Sequence, residues 1–427
     1  MRNATPLLSA LFLLFASTTL VLAQETILIN YNGHNGSGPA VTMVADKSGN
    51  LYGTTNAGGA YSSACNGSGC GTVFELVNKG GGQYAYKVLH SFGSGSDGQI
   101  PNAQLTVDAR GNLFGNTYEG GTNGFGTVFM LQRNSLGVWK EKVIYNFTGG
   151  PDGAGPQATL ALDSLGNLYG TASGGGIVSS ACTILTGCGT VFRLTPQSGG
   201  QWTESTLYQF GGTPDGWFPL AGVVVRGNGV LYGTTYGGGV NGYGTVYALR
   251  QVHGVWTEKI LHSFNLDGTD GIFPVVGMTA DAAGNLYGPA VNGGSTLSGC
   301  GGAGCGVIFE LVAPTWTEEI LYSFSGENDG GAPATNLILD SSGNLYSTGA
   351  SGGTSGSGCG GFGCGVVFEL ENNGSSVWTE KPLHNFGIGT DGSVPYGGVI
   401  FGADGNLYGT TYQGGTNNLG VAYKLVP

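Results

Sequence analysis

The chain has 427 residues and a formal net charge of −12, with only 9% charged residues and 86 glycines. An acidic chain without a basic stripe repels a phosphate backbone, which excludes nucleic acid as a partner. Its 40% hydrophobic and 11% aromatic content is too high for disorder, and its glycine content departs from that of a helical enzyme, so the glycines must serve turns.

The first segment reads as a secretory leader. Met1-Arg2 supply a positive start, an apolar stretch follows from Leu7 to Leu22, and small residues lead to a cleavage site after Ala23. Ser9, Ser17, Thr18 and Thr19 interrupt a stretch already short for a bilayer span. Residues 1–23 are therefore expected to be removed, leaving residues 24–427 as one domain without a membrane span, secreted or periplasmic.

The remainder is a repeat. The segment Gly49-Asn-Leu-Tyr-Gly-Thr-Thr55 recurs with its leucine at Leu51, Leu113, Leu168, Leu231, Leu286, Leu345 and Leu407, at spacings of 62, 55, 63, 55, 59 and 62 residues. Each unit offers four short strands. The first is a small-apolar run such as Ala40 to Ala45, the second Leu-Tyr-Gly-Thr, and the third Gly71 to Leu76. The fourth resembles Trp256 to Phe264. Five units carry an aspartate five residues before the leucine (Asp46, Asp108, Asp163, Asp281, Asp340), with Arg226 and Gly402 as exceptions. That aspartate caps a tight hairpin turn whose glycine takes positive φ.

After cleavage the chain opens with Glu25 to Tyr31, a strand of the fourth type, and stops at Pro427 after a strand of the third type. The N-terminal strand can thus complete the last unit. The expected fold is all-β: a seven-bladed propeller of four-stranded blades closed by the N-terminal strand, with an open solenoid as the competing architecture.

Gly-Asn-Leu-Tyr-Gly-Thr-Thr, then Gly-Gly, then Gly-Thr-Val-Phe-Glu-Leu resembles the Gloeobacter/Verrucomicrobia tandem repeat of secreted bacterial proteins over the whole mature chain. More loosely, Asp-x-x-Gly-Asn-Leu-Tyr resembles turns of sensor-kinase periplasmic propellers and gluconolactonase-type propellers. The first resemblance implies no particular chemistry and often a C-terminal surface anchor. Here the last repeat reaches the C-terminus, so release or periplasmic retention is expected.

Eight cysteines form four close pairs, Cys65/Cys70, Cys182/Cys188, Cys300/Cys305 and Cys359/Cys364, each in the loop between the second and third strands. Spacing does not fix their connectivity. An oxidising compartment favours four local disulfides over zinc ligation, because no histidine lies near the pairs and separate blades hold them.

Residues that look chemical mostly fall on repeat positions. His90, His262 and His384 share one fourth-strand position with Tyr145, Tyr208, Tyr322 and Ile29, which reads as packing. Trp139, Trp202, Trp256, Trp316 and Trp378 open the fourth strand. The glutamates two positions on (Glu141, Glu204, Glu258, Glu318, Glu380) are expected to keep the outer edge soluble. His34 and His253 lie in loops.

The loop from the fourth strand to the next first strand reads Asx-Gly-x-x-Pro in all seven units, at Asn35, Asp97, Asp152, Asp215, Asp270, Asp329 and Asp391. It should share one face with the disulfides and with Tyr118, Phe125, Trp217, Tyr236, Tyr243 and Tyr412. Turn chemistry alone can account for the Asx-Gly pair. The functional alternative is a shallow acidic binding face for a sugar or for Ca²⁺, although no calcium motif, other metal motif or cofactor motif is present.

Near-identical repeats without a catalytic set point to a monomeric, non-catalytic module that binds a glycan or extracellular protein. The competing reading is a gluconolactonase-like hydrolase or sugar lyase at the central channel. The departures from symmetry, Arg226, Asn116, Pro289 and Asn336, form no recognisable set.

Overall fold

The computed structural model describes residues 24–427 except 62, 94–95, 183–185, 228, 295–299, 301, 354–358, 360, 375–376 and 388. The expected leader lies outside the described residues. Seven antiparallel sheets follow one another around a ring, each entered by its innermost strand. In the first blade the strands run Val44–Ala45, Leu51–Thr55, Thr72–Gly80 and Gln83–Ser91 from the inside outwards. Every second strand begins at a repeat leucine. Among the described residues only two short 3₁₀ turns are helical, and no helix is long and apolar enough to cross a membrane.

The seventh blade is completed from the other end of the chain. Gln24–Asn30 pairs antiparallel with Val421–Val426. The pairing carries the same one-residue bulge that separates Val73 from Phe74 in the first blade and Val367 from Phe368 in the sixth. The N-terminal strand is thus a full equivalent of the other outer strands.

The hairpin between first and second strands forms as its sequence dictates. Asp46 Oδ1 accepts from the Ser48 and Asn50 backbone N–H groups at 2.8 and 2.9 Å, its Oδ2 accepts from Asn50 Nδ2 at 2.8 Å, and Gly49 sits at φ +75°. In the seventh blade Asp404 replaces the missing cap and binds Asn406 Nδ2 and the Tyr408 hydroxyl. In the fourth, Arg226 instead donates to the Asp281 carbonyl of the next blade at 3.0 Å.

The core lies between blades. At each interface the aromatic that ends one outer strand meets a third-strand aromatic of the next blade. Phe92 meets Phe129, Phe210 meets Tyr247, and Phe386 meets Tyr423, with ring centroids 5.1 to 5.2 Å apart. Tyr31 on Phe74, at 5.7 Å, closes the series across the chain termini. The outer-strand tryptophans join this packing, Trp139 edge-on to Tyr52 at 6.0 Å and Trp202 to Phe114 at 5.8 Å.

A backbone latch links each blade to the next on the loop face. The glycine that opens the third strand takes positive φ and packs against the proline of the following blade: a Cβ on Gly71 would stand 2.5 Å from Pro101, and one on Gly365 2.3 Å from Pro395. The same contact joins Gly420 to Pro39 across the closure. One residue before that glycine, a carbonyl accepts the N–H of the residue preceding the proline. Cys70 takes Ile100 at 3.0 Å, Cys364 takes Val394 at 2.8 Å, and Leu419 takes Gly38 at 2.9 Å.

The accepted residue is left-handed in every blade: Gly38, Ile100, Gly155, Phe218, Phe273, Ala332 and Val394 lie between φ +49° and +62°. A β-branched residue there is strained, at a cost of about 1–3 kcal/mol. The glycine of Asx-Gly, where turn chemistry would place a positive φ, adopts it in only some blades. Gly36, Gly153 and Gly330 do adopt it, but Gly98, Gly216, Gly271 and Gly392 do not. There the small residue is required by contact, since a Cβ on Gly98 would meet the Thr117 side chain at 2.2 Å.

Charged groups also meet across the interfaces. The Asx aspartates turn inward to the outer strands: Asp97 to His90 at 2.8 Å, Asp152 to the Tyr145 hydroxyl at 2.9 Å, and Asp270 to His262 at 3.1 Å. The His/Tyr position therefore hydrogen-bonds as well as packs. The next blade's outer-strand glutamate closes each cluster. Glu141, Glu204, Glu258, Glu318 and Glu380 are half-buried rather than solubilising an outer edge, and Glu25 plays the same part in the seventh blade.

The remaining interface changes at all three positions together. Ile29, Asn35 and Tyr86 replace the imidazole or phenol, the aspartate and the glutamate, and the Tyr86 hydroxyl donates to the Asn35 carbonyl.

Two carboxylates in one half-buried cluster cannot both ionise freely. Burial and the Asp270 carboxylate push Glu318 up to about 9. The same two causes act through Asp215 on Glu258, to about 9, and through Asp391 on Glu25, to about 8. They raise Glu380, beside Asp329, to about 8 and Glu141, beside Asp97, to about 7. Among the described residues, buried oxygens of Glu25, Glu141, Glu258, Glu318 and Glu380 have no hydrogen-bond partner, and Glu25, Glu258 and Glu318 each meet the neighbouring aspartate carboxyl in a side-chain hydrogen bond.

These glutamates hold more protons folded than unfolded, so their contribution is full below about pH 4.5 and is lost as pH rises through 7 to 9. The thermal midpoint is therefore expected to fall between pH 5 and pH 9. Glu258→Gln with Glu318→Gln should flatten that slope, because an amide keeps a donor towards the aspartate; equal midpoints at the two pH values in the unsubstituted chain would refute the pairing. Separately, Ala332→Gly should raise stability by about 1 kcal/mol in denaturant unfolding, since relief of the left-handed strain exceeds the entropy cost of glycine.

Candidate functional site

The loop face collects what the sequence singled out, but in three separate environments. The Asx residues belong to the first. Asp97, Asp152 and Asp270 are 9%, 8% and 4% exposed. Asp215 accepts from the Gly211 and Gly216 N–H groups at 2.7 Å, Asp329 from Ser325 N–H at 2.8 Å, and Asp391 from Gly387 and Gly392 N–H at 2.7 Å. These carboxylates hold turns and blade interfaces together, and they do not converge on one solvent-facing site.

Among the described residues, three clusters have a donor set suited to a cation: His90, Asp97 and Glu141; His262, Asp270 and Glu318; and Glu25, His384 and Asp391. Each brings its ligand atoms within 4.8 Å of one another. Their imidazoles also lie within reach of the carboxylates directly, His90 Nε2 at 2.8 Å and His262 Nε2 at 3.1 Å. Equivalent Asp–Glu pairs recur where tyrosine replaces histidine, and burial with the neighbouring aspartate raises the glutamate in all six.

The second environment is the loop between second and third strands. Its disulfides are Cys65–Cys70, Cys182–Cys188, Cys300–Cys305 and Cys359–Cys364, the local pairing expected, and they suit an oxidising compartment. The second cysteine of each pair supplies the latch carbonyl, for example Cys188 to Phe218 and Cys305 to Ala332. Phe125, Tyr243 and Leu419 occupy the same place in the blades without a bridge. The disulfides thus stiffen the segment that grips the next blade.

Loop aromatics form the rim of this face. Tyr236 stacks on Phe273 of the next blade at 4.7 Å and meets Trp217 edge-on at 6.1 Å. Tyr118 covers Gly155 and Tyr412 covers Gly38, each from the preceding blade. All four of Tyr118, Trp217, Tyr236 and Tyr412 remain partly exposed.

The third environment is the mouth of the central channel, a cavity of about 510 Å³. The segments that run from each proline to the following inner strand line it. The outermost ring consists of Ala40, Asn102, Gln157, Leu220, Val275, Ala334 and Tyr396, one from each blade directly after its proline. Two residues further in stand Thr42, Gln104, Thr159, Gly222, Gly277 and Asn336, while Asn56 and Tyr412 reach in from second-strand ends. No Asp, Glu, His, Lys or Arg lines the cavity among the described residues.

Sequence reasoning passed over this ring, apart from Asn336 and Tyr412. The residue after the repeat proline differs in nearly every unit, as do the residues just before that proline, so variability alone did not single the ring out. Of the other departures, Arg226 and Pro289 sit on separate blades and Asn116 donates to the Ala158 carbonyl at 2.7 Å. The structure does not gather them.

Similarity to solved structures is distant. A gluconolactonase from Xanthomonas campestris matches with a TM-score of 0.38 and 13% identity, over 76% of this chain and 86% of that one. A protein from Bacteroides uniformis described as a candidate 6-phosphogluconolactonase matches with a TM-score of 0.46 and 13% identity, over 85% and 97%. No curated protein matches the sequence. The model of the Gloeobacter/Verrucomicrobia repeat matches residues 14–186, 184–300 and 294–427. Repeat signature, blade geometry and family match agree, and the chain belongs to the Gloeobacter/Verrucomicrobia repeat family.

Proposed function

We propose that this chain is a secreted, monomeric, non-catalytic binding module that receives a glycan on its loop face. The observation that carries the reading is where the symmetry breaks. The glycine and proline that latch the blades repeat around the ring, whereas the seven equivalent positions of the channel mouth carry side chains as different as Asn102, Leu220 and Tyr396. A scaffold with constant joints and a varied mouth fits recognition of one ligand by a surface not used for folding.

The chemistry of the lining favours binding over turnover. Amides, hydroxyls and tyrosines orient a ligand, whereas lactone hydrolysis or sugar elimination calls for a carboxylate, imidazole or metal at the reacting carbon. The reading does not depend on Ca²⁺, since Asp97, Asp215, Asp329 and Asp391 accept hydrogen bonds within turns and blade pairs. Tyr118, Trp217, Tyr236 and Tyr412 supply apolar rims of the kind sugars stack on.

Residues 24–427, applied to an array of glycans and extracellular proteins, are expected to bind glycans, with binding unchanged by EDTA. Tyr118→Ala and Tyr236→Ala should each weaken it several-fold, and Ala350 shows that the fold accepts alanine at that repeat position. Binding confined to protein probes, or repeated turnover of a lactone, would overturn the proposal.

A further inference from the structure

The channel mouth has two walls of different chemistry. Blades two and three contribute the amides Asn102, Gln104 and Gln157; blade seven contributes Tyr396 and Tyr412. Three steps around a seven-membered ring separate the third blade from the seventh, so the tyrosines stand nearly opposite Gln157. Leu220 and Val275 fill the blades between on one side.

Each wall is held in place. Asn102 Nδ2 donates to Gln157 Oε1 at 3.4 Å, which leaves one amide oxygen and one amide nitrogen side by side for a ligand. Gln104 is anchored through its Nε2 to the Met43 carbonyl at 3.3 Å. Tyr396 is 44% exposed and its ring meets Tyr412 edge-on at 5.8 Å. Asn56, which also lines the cavity, has a buried Oδ1 without a hydrogen-bond partner. Such an atom is costly unless a ligand or water donates to it.

Charge decides the ligand class. The chain carries −12 overall, and no cationic side chain lines the mouth among the described residues. A uronate, sialate or sugar phosphate would enter an unfavourable field with nothing to neutralise it. An adjacent amide donor and acceptor match neighbouring hydroxyls, and an exposed tyrosine matches the apolar face of a sugar ring. The cavity volume falls in the range of small-molecule pockets, roughly 300–1,000 Å³. It opens along the ring axis, so a chain enters by its end.

We infer that the channel mouth is an end-on subsite for the uncharged terminal sugar of a glycan, its hydroxyls held by Asn102, Gln157 and Asn56 and its ring face set against Tyr396 and Tyr412. The inference rests on the loop-face reading and adds the subsite, the neutral class and the orientation. Asn102→Ala and Gln157→Ala repeat substitutions that the fold already makes at Ala40 and Ala334, so their effect on binding is separable from folding.

The test uses residues 24–427 on an array of neutral oligosaccharides and their uronate and sialylated counterparts, followed by calorimetric titration of the hits. The expected result is selective binding of neutral glycans, weakened about tenfold or more by Asn102→Ala with Gln157→Ala and by Tyr396→Ala, with unchanged thermal midpoints. Loss of binding when the terminal sugar is replaced by its uronate supports the end-on orientation. Glycan binding that survives the channel variants but is lost with Tyr118→Ala and Tyr236→Ala overturns the subsite and leaves the loop-face reading standing. Selective binding of anionic glycans overturns the neutral class, and no glycan binding at all overturns both.

Discussion

The fold depends on one contact repeated seven times, the grip of a third-strand glycine and its preceding carbonyl on the proline turn of the next blade. A sheet of four short strands cannot bury both faces by itself. The latch sets the spacing at which neighbouring sheets interleave their aromatic residues. It requires a left-handed residue before each proline, even where that residue is Ile100 or Val394, and it demands glycine where Pro101 or Pro395 presses on the backbone. The hydrogen bonds and packing around the turn offset a conformation that an isolated peptide would avoid. Disulfides occur in the loop that supplies the latch carbonyl, where stiffness has most effect.

Ring closure turns a local joint into a global constraint. Gly420 against Pro39 and Gln24–Asn30 on Val421–Val426 make the first and last blades neighbours, so no interface can relax without moving the others. Inside that constraint the Asp and Glu side chains of adjacent blades are held together more closely than two free carboxylates would choose. Burial and the facing aspartate raise the glutamate pKa, and the exceptional interface shows the rule from the other side: with Asn35 in place of aspartate, the partner is Tyr86 and the imidazole position is Ile29.

The channel mouth stands outside this network. Its side chains project from the segments between each proline and the inner strand, and Ala40 and Ala334 show that the ring closes without large residues there. Recognition can therefore vary at the mouth while the joints stay constant. The conspicuous aspartates that suggest a binding face in the sequence take part in turns and blade interfaces, together with histidines that read there as packing. The inconspicuous residues after the prolines, Asn102, Gln157 and Tyr396 among them, carry the asymmetry.

The repeat, its four strand types, the capping aspartates and the swap of strand type between the termini were legible from residue order, because they arise from local hydrogen bonding and from period-two burial. The local pairing of cysteines followed from proximity in the chain. Closure brought together what order alone could not. Asp270 and Glu318 are 48 positions apart in sequence, and only the angle between adjacent blades makes them share a site. The same holds for Tyr396 and Gln157, which line one cavity from opposite sides because seven blades close a ring. The left-handed turn at Ile100 was likewise hidden, since local sterics argue against it and only contacts from the neighbouring blade overrule them.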